Sequence, residues 1–212
     1  TIGAATNDPI AALGQILRGH RRELDLGHVA SDAGESAYFV QTLSFGLDAA
    51  IALDTTDRRA AQTHQKGSGL FATSGIKILS KVRGEASGYP SRVTMDGEKD
   101  VHLNSIVFAV QNGPTYGGGF RICPDADPYD GSLDLCYNVS VPALPHVLAL
   151  FALARTGRHV GSRAIATRRI RRLHVEFFER EPPCQADGEP LHGRTYDVEV
   201  RPRSLTLMAP TW

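Results

Sequence analysis

Beyond Gly88 the chain is a succession of short extended runs, and that succession restricts the fold more than any single motif. Segments 92–95, 101–111, 133–141, 173–179, 196–201 and 205–208 are rich in Val, Phe, Tyr and Leu and are bounded by Gly, Pro, Asp or Asn, which is strand chemistry. One helical pattern interrupts them. Segment 142–155 spreads Leu144, Val147, Leu148, Phe151 and Leu153 around a mostly apolar cylinder, with Gly157 as the stop signal. Strands that do not alternate with long helices form antiparallel layers rather than a doubly wound parallel sheet. Before Gly88 the pattern predicts a helix over Pro9–Arg18, with Asp8 as N-cap and Pro9 at the first helical position. Strands follow over 24–30 and 38–45, then helices over 49–65 and 69–82. The expected class is mainly β (α+β): an antiparallel β-sandwich-like domain with a few helices.

Composition removes several functions. The chain has 212 residues, 42% hydrophobic and 22% charged, with 23 basic against 23 acidic side chains. That is an ordinary globular balance with no global field aimed at nucleic acid. Cys123, Cys136 and Cys184 lie far apart, without a CxxC or Cys/His pairing, which argues against a zinc site or a disulfide framework and fits a reducing compartment. Asn138-Val139-Ser140 matches a glycosylation acceptor but sits in an apolar alternating run, and reads as a strand. The apolar stretch 147–154 is too short to span a bilayer. No secretory signal opens the chain, so a cytoplasmic protein is expected. Thr1 begins in loop chemistry without an initiator Met, which reads as a truncated chain.

Charge and glycine concentrate locally. Asp-Gly occurs in Met95-Asp96-Gly97-Glu98, in Tyr129-Asp130-Gly131-Ser132 and in Cys184-Gln185-Ala186-Asp187-Gly188-Glu189-Pro190, and each is a strong tight-turn signal. A carboxylate just after such a turn is held on rigid backbone, which suits a general base. Glu98 continues into Lys99 and Asp100 as an exposed hairpin tip, whereas Glu189 sits beside Pro190 in a less solvated context. Asn112-Gly113 followed by Gly117-Gly118-Gly119 can bring backbone N–H groups close to an anion, or can simply connect strands. Four aspartates at 125, 127, 130 and 134 invite a hard cation or form a solvated acidic turn. Segment 155–172 carries seven arginines and His159 with no acidic residue, suited to phosphate or an anionic membrane surface, or to a solvated face.

The order of these pieces resembles the diacylglycerol kinase and sphingosine kinase family, in particular the bacterial soluble lipid kinases. The matching pieces are Thr6-Asn7-Asp8, Leu24-Asp25-Leu26-Gly27, Gln111-Asn112-Gly113 with the triple glycine, Pro124-Asp125-Ala126 with Asp130-Gly131-Ser132-Leu133-Asp134, and Gln185-Ala186-Asp187-Gly188-Glu189. The resemblance implies a β-sandwich second domain, as in NAD kinase-like proteins, facing a nucleotide-binding domain that carries a Gly-Gly-Asp-Gly-Thr loop absent from this chain. It implies ATP and Mg²⁺ as cofactors and a lipid with a free hydroxyl as acceptor, diacylglycerol-like. Residues 1–24 would be a remnant of the nucleotide-binding domain, 25–203 the lipid kinase C-terminal domain, and 204–212 a strand or tail returning to the first domain. Glu189, with Asp187, falls on the catalytic turn. Asn7, Asp8, Gly117, Gly118 and Gly119 fall on the nucleotide side. Asp130 through its carboxylate, and Asp127 and Ser132 through their carbonyls, fall on a structural Mg²⁺ site. Ala4 and Ala5 stand where the family has Gly and Thr, which touches the nucleotide contact. The fragment alone is expected to be inactive, and peripheral membrane contact through 155–172 is expected. A sphingoid-base kinase, an NAD kinase and a non-catalytic lipid-binding β module are the alternatives.

Overall fold

The structure, a computed structural model, describes residues 8–60, 88–116, 119–141 and 143–209. The helix expected over 69–82, with Asn7, Gly117 and Gly118, lies outside the described residues.

Two six-stranded antiparallel sheets face each other. The first contains, in spatial order, β2 (Ser36–Phe39), β1 (His20–Ser31), β12 (Thr195–Ala209), β9 (Arg172–Phe177), β4 (Tyr89–Met95) and β5 (Val101–Ser105). The second contains β11 (Glu189–Pro190), β10 (Cys184–Ala186), β3 (Thr42–Gly46), β6 (Val107–Gln111), β7 (Leu133–Asn138) and β8 (Ile165–Ile170). Alternation places Tyr196, Val198 and Val200 of β12 inward and Asp197 and Glu199 outward, the pattern of a sheet with one wet face. Phe39, Phe45, Phe108, Val175, Phe177 and Tyr196 pack between the sheets, and Phe45 meets the Tyr196 ring edge-on at 4.9 Å between centroids. Gly27 is where the Phe39 ring crosses β1: a Cβ there would stand 2.0 Å from Phe39 Cζ.

The second sheet is buried on its outer face as well. α2 (Leu47–Ala60), α3 (Leu144–Ala154) and the 119–126 segment cover it, packing Ile51, Phe120, Ile122 and Ala154 with Ala109 of β6 and Cys136 of β7. This explains why β3 and β6 are buried on both faces without alternation. α1 (Pro9–Arg18) has the expected bounds, and Asp8 Oδ1 accepts from the Ile10 and Ala11 amides.

Four of the expected elements differ. Segment 38–45 is two strands in different sheets, because the chain turns a corner at Val40 and Gln41 whose amides are bonded by a distant carboxylate, that of Asp187. Segment 101–111 also crosses between sheets, at Ile106. The Ile106 and Val107 amides donate to Asn138 Oδ1 at 2.8 and 2.9 Å, so a buried side chain replaces the ladder. Segments 196–201 and 205–208 fuse instead into β12, because β1 pairs with it from Ser31↔Tyr196 to His20↔Ala209. β8, β10 and β11 arise in stretches where no strand is expected. The one irregularity of the long pair is a register shift at Asp25, opposite Arg203 with φ 52°, close to both domain boundaries expected from the sequence.

Candidate active site

β10 and β11 form a two-residue hairpin whose turn is Asp187-Gly188. Both residues have positive φ, 50° and 101°, the conformation Asp-Gly adopts at least cost. The Gly188 amide donates to Gln185 Oε1 at 2.6 Å and the Asp187 amide to the Thr42 carbonyl at 2.9 Å. The Asp187 carboxylate accepts from the amides of Val40 at 2.6 Å, Thr42 at 2.8 Å and Gln41 at 3.1 Å. This carboxylate is occupied in closing the β2–β3 corner. Glu189, two residues on, is exposed rather than in the less solvated context expected from the sequence, and its carboxylate makes no hydrogen bond or ion pair among the described residues. α2 stands beside the turn, since a Cβ at Gly188 would meet Thr56 Oγ1 at 3.4 Å.

The same corner holds the glycine-rich loop. The Asn112 amide donates to Gln41 O at 2.9 Å, and its side-chain amide donates to Asp25 O at 2.8 Å and Val40 O at 2.9 Å. Gln41 Nε2 reaches back to Thr115 O. In the layer below, Gln111 Nε2 bonds Thr42 Oγ1, and Gln185 Nε2 bonds Ser44 Oγ at 2.7 Å. Gln111, Asn112 and Gln185 are buried, so this polar framework rigidifies the end of the sheet from which the β10–β11 turn projects. The sequence motifs contain Gln111, Asn112 and Gln185 without implying this role, and Gln41 lies outside them. For Gln111 and Asn112 the available signal is a Gln-Asn pair closing the apolar strand β6.

The acidic turn is a separate construction on the other side of Asp25. Asp25 is 1% exposed. Its Oδ1 accepts from the Arg203 amide and its Oδ2 from the Gly131 amide, both at 2.7 Å, while its own amide donates to Pro128 O at 2.9 Å. Asp130 Oδ1 accepts from the Ser132 amide at 2.9 Å, and Asp130 Oδ2 lies 3.2 Å from Arg169 Nη1. Arg169 also places Nε 3.5 Å from Asp134 Oδ1 and donates to Asp125 O at 3.4 Å. Asp127 Oδ1 accepts from the Tyr129 amide. Burial pushes the Asp134 carboxyl up, and Arg169 opposes that shift. As placed, the Asp130 carboxylate is shared between the Ser132 amide and the Arg169 guanidinium, and the Asp127 carbonyl accepts from the Asp130 amide at 3.4 Å. Among the described residues no group of three His, Cys, Asp or Glu is arranged to hold a metal. Asp8 is committed to capping α1, which stands beyond the Ala209 end of the β1–β12 pair, and Gly119 is exposed beside the Tyr116–Phe120 bridge.

Residues 41–209 match the family described as the YegS C-terminal NAD kinase beta sandwich-like domain. The chain belongs to this family. Its relatives include a diacylglycerol kinase of Mycobacterium tuberculosis, 29% identical over 208 residues, covering 98% of this chain and 64% of the relative. A Serratia proteamaculans protein named "Probable lipid kinase YegS-like" is 26% identical over 204 residues, covering 95% of this chain and 60% of the relative. A solved diacylglycerol kinase structure from Bacillus anthracis shares the fold with a TM-score of 0.62 at 17% identity, over 98% of this chain and 61% of that one. The chain thus spans under two thirds of the length of these relatives.

This YegS-type sandwich also holds an apolar cavity between α2, α3 and the outer face of β6 and β7, lined by Ile51, Phe120, Val147, Leu150 and Phe151 among others. One acid, Asp48 in the first turn of α2, points into that wall. Tyr116 Oη donates to its Oδ2 at 3.2 Å, and its Oδ1 has no hydrogen-bond partner among the described residues. Burial pushes the Asp48 carboxyl from 3.8 up to about 7, the Tyr116 hydrogen bond acting the other way. The folded chain therefore holds this proton more tightly than the unfolded chain. Its stabilising effect is complete below pH 3.8 and is lost as pH rises to about 7, at no more than about 1.4 kcal/mol per pH unit. Asp48→Asn is expected to flatten the decline over that window, read from urea midpoints at pH 4.5 and 7.5; an unchanged decline would mean that Asp48 is not its source.

The basic segment divides. Arg168 pairs with Glu98 at 2.6 Å, and Arg169 closes the acidic turn. Both lie on β8, an edge strand whose charges discourage further pairing.

Proposed function

We propose that this chain is the acceptor-side part of an ATP-dependent lipid kinase. The observation that carries the reading is Glu189: a carboxylate without a partner among the described residues, on a rigid primed turn, framed by the same hydrogen-bonded corner as the glycine-rich loop. Phosphoryl transfer requires positioning, charge neutralisation and a base for the nucleophile. Here Glu189 takes the proton of the lipid hydroxyl as its oxygen attacks the γ-phosphorus of Mg-ATP. The bond from that phosphorus to the bridging oxygen breaks, and ADP leaves with the bridging electron pair. Asp187 acts as a positioning residue: it freezes the corner so that the turn presents Glu189 in one direction. Gly119 is assigned to the nucleotide side. No step passes through an ion at the Asp130 turn. The phosphate-binding loop belongs to the part of the full-length protein beyond this chain, so the chain alone transfers no phosphoryl group.

The apolar cavity supports a lipid over a dinucleotide acceptor. Its wall is mostly hydrocarbon, with Asp48, Tyr116, Asn138 and His159 as the polar side chains and no basic side chain other than His159 among the described residues, whereas NAD would bring two phosphates and two riboses into it. Incubating the full-length protein with radiolabelled ATP and, separately, diacylglycerol, a sphingoid base or NAD tests this. Label is expected in phosphatidic acid. Label in NAD and in neither lipid would replace the lipid reading with a dinucleotide kinase.

A further inference from the structure

α3 has an unusual outer face. Its inner residues Val147, Leu150 and Ala154 are buried, and Phe151 is half-buried against the cavity. Its outer residues Pro145, His146, Leu148, Ala149, Ala152 and Leu153 are exposed and carry no formal charge. Leu148 is 45% and Leu153 40% exposed. A helix on the surface of a water-soluble domain normally shows charged residues there, and one that is apolar all round is buried in protein or in lipid. At eleven residues α3 is too short to cross a bilayer, so lying in the interface is the geometry left to it.

The charge around α3 selects the partner. No acidic residue occurs between Asp134 and Glu176. Arg155 at the end of α3, Arg158 on the following 3₁₀ turn and Arg163 are exposed and make no ion pair among the described residues. An apolar strip bordered by uncompensated arginines matches acyl chains bordered by anionic headgroups. We propose that α3 docks on an anionic bilayer, its outer face among the acyl chains and Arg155, Arg158 and Arg163 on headgroup phosphates. The purpose of this docking, though not the docking itself, rests on the lipid-kinase reading: α3 walls the apolar cavity, so an acceptor could pass from the bilayer into it along one helix.

Co-sedimentation of the full-length protein with vesicles tests the proposal. Binding is expected to phosphatidylglycerol–phosphatidylcholine vesicles and to be weak to pure phosphatidylcholine. The exposed-site double variant Leu148→Asp/Leu153→Asp is expected to lower partitioning by on the order of tenfold or more. Arg155→Glu/Arg158→Glu should lower it by roughly 20-fold, an effect that salt mimics in the wild type. Unchanged partitioning in either variant, equal binding to both vesicles, or a wild-type dimer in gel filtration that the Leu148/Leu153 variant abolishes would overturn the proposal. Phosphorylation of a short-chain diacylglycerol dissolved as monomers should persist in both variants. If even the wild type cannot phosphorylate it while vesicle binding still depends on α3, the docking stands and the kinase reading falls.

Discussion

Glu189→Gln in the full-length protein is expected to lower lipid phosphorylation by roughly 10²- to 10⁴-fold, the usual worth of a positioned general base, while leaving ATP binding intact. The carboxamide keeps the size of the side chain but cannot take the hydroxyl proton. The Glu189 carboxylate is exposed and bonds to no described group, so the substitution removes no contact that holds the fold, and the melting temperature should stay at the wild-type value. The loss should fall on kcat, because the missing interaction is made only as the oxygen attacks. The measurement is initial-rate kinetics with diacylglycerol together with direct ATP binding. Wild-type turnover by the variant would remove Glu189 from the mechanism, whatever the acceptor.

Asp25→Ala is expected to destabilise the protein by roughly 2 to 6 kcal/mol. The carboxylate is buried and accepts two backbone amides, those of Gly131 and Arg203. Each would be left without its partner at about 1–3 kcal/mol. For a domain stable by about 5–15 kcal/mol this is a large fraction, and the melting temperature should fall by on the order of 10 °C. The site matters because three segments meet at Asp25: the acidic turn, the β1–β12 irregularity, and, through the Asp25 carbonyl, Asn112 of the glycine-rich loop. Urea denaturation measures the effect. A loss below about 1 kcal/mol would show that water replaces the carboxylate at both amides.

Local chemistry was enough for much of the architecture. Alternation and Gly, Pro, Asp and Asn boundaries identified antiparallel layers, because side-chain period and turn propensity are properties of a few neighbouring residues. α1 kept its predicted bounds because its cap and its first proline are adjacent in the chain. The Asp187-Gly188 turn was legible for the same reason: positive φ at both residues is a local preference.

What the sequence by itself determined, then, is the sandwich and the Asp187-Gly188 turn that Glu189 follows. Only tertiary structure decided where strands break and which acids are committed elsewhere. Segments 38–45 and 101–111 look continuous, yet each bends where a side chain far along the chain, Asp187 or Asn138, accepts the amides that the ladder would have used. Segments 196–201 and 205–208 look separate, yet they are one strand because β1 supplies a partner along its full length. Asp130 is paired by Arg169 from an edge strand that reads in sequence only as basic charge. Backbone amides and carboxylates must find partners once buried, and which partner arrives depends on how the sheets stack, over separations that no local pattern encodes.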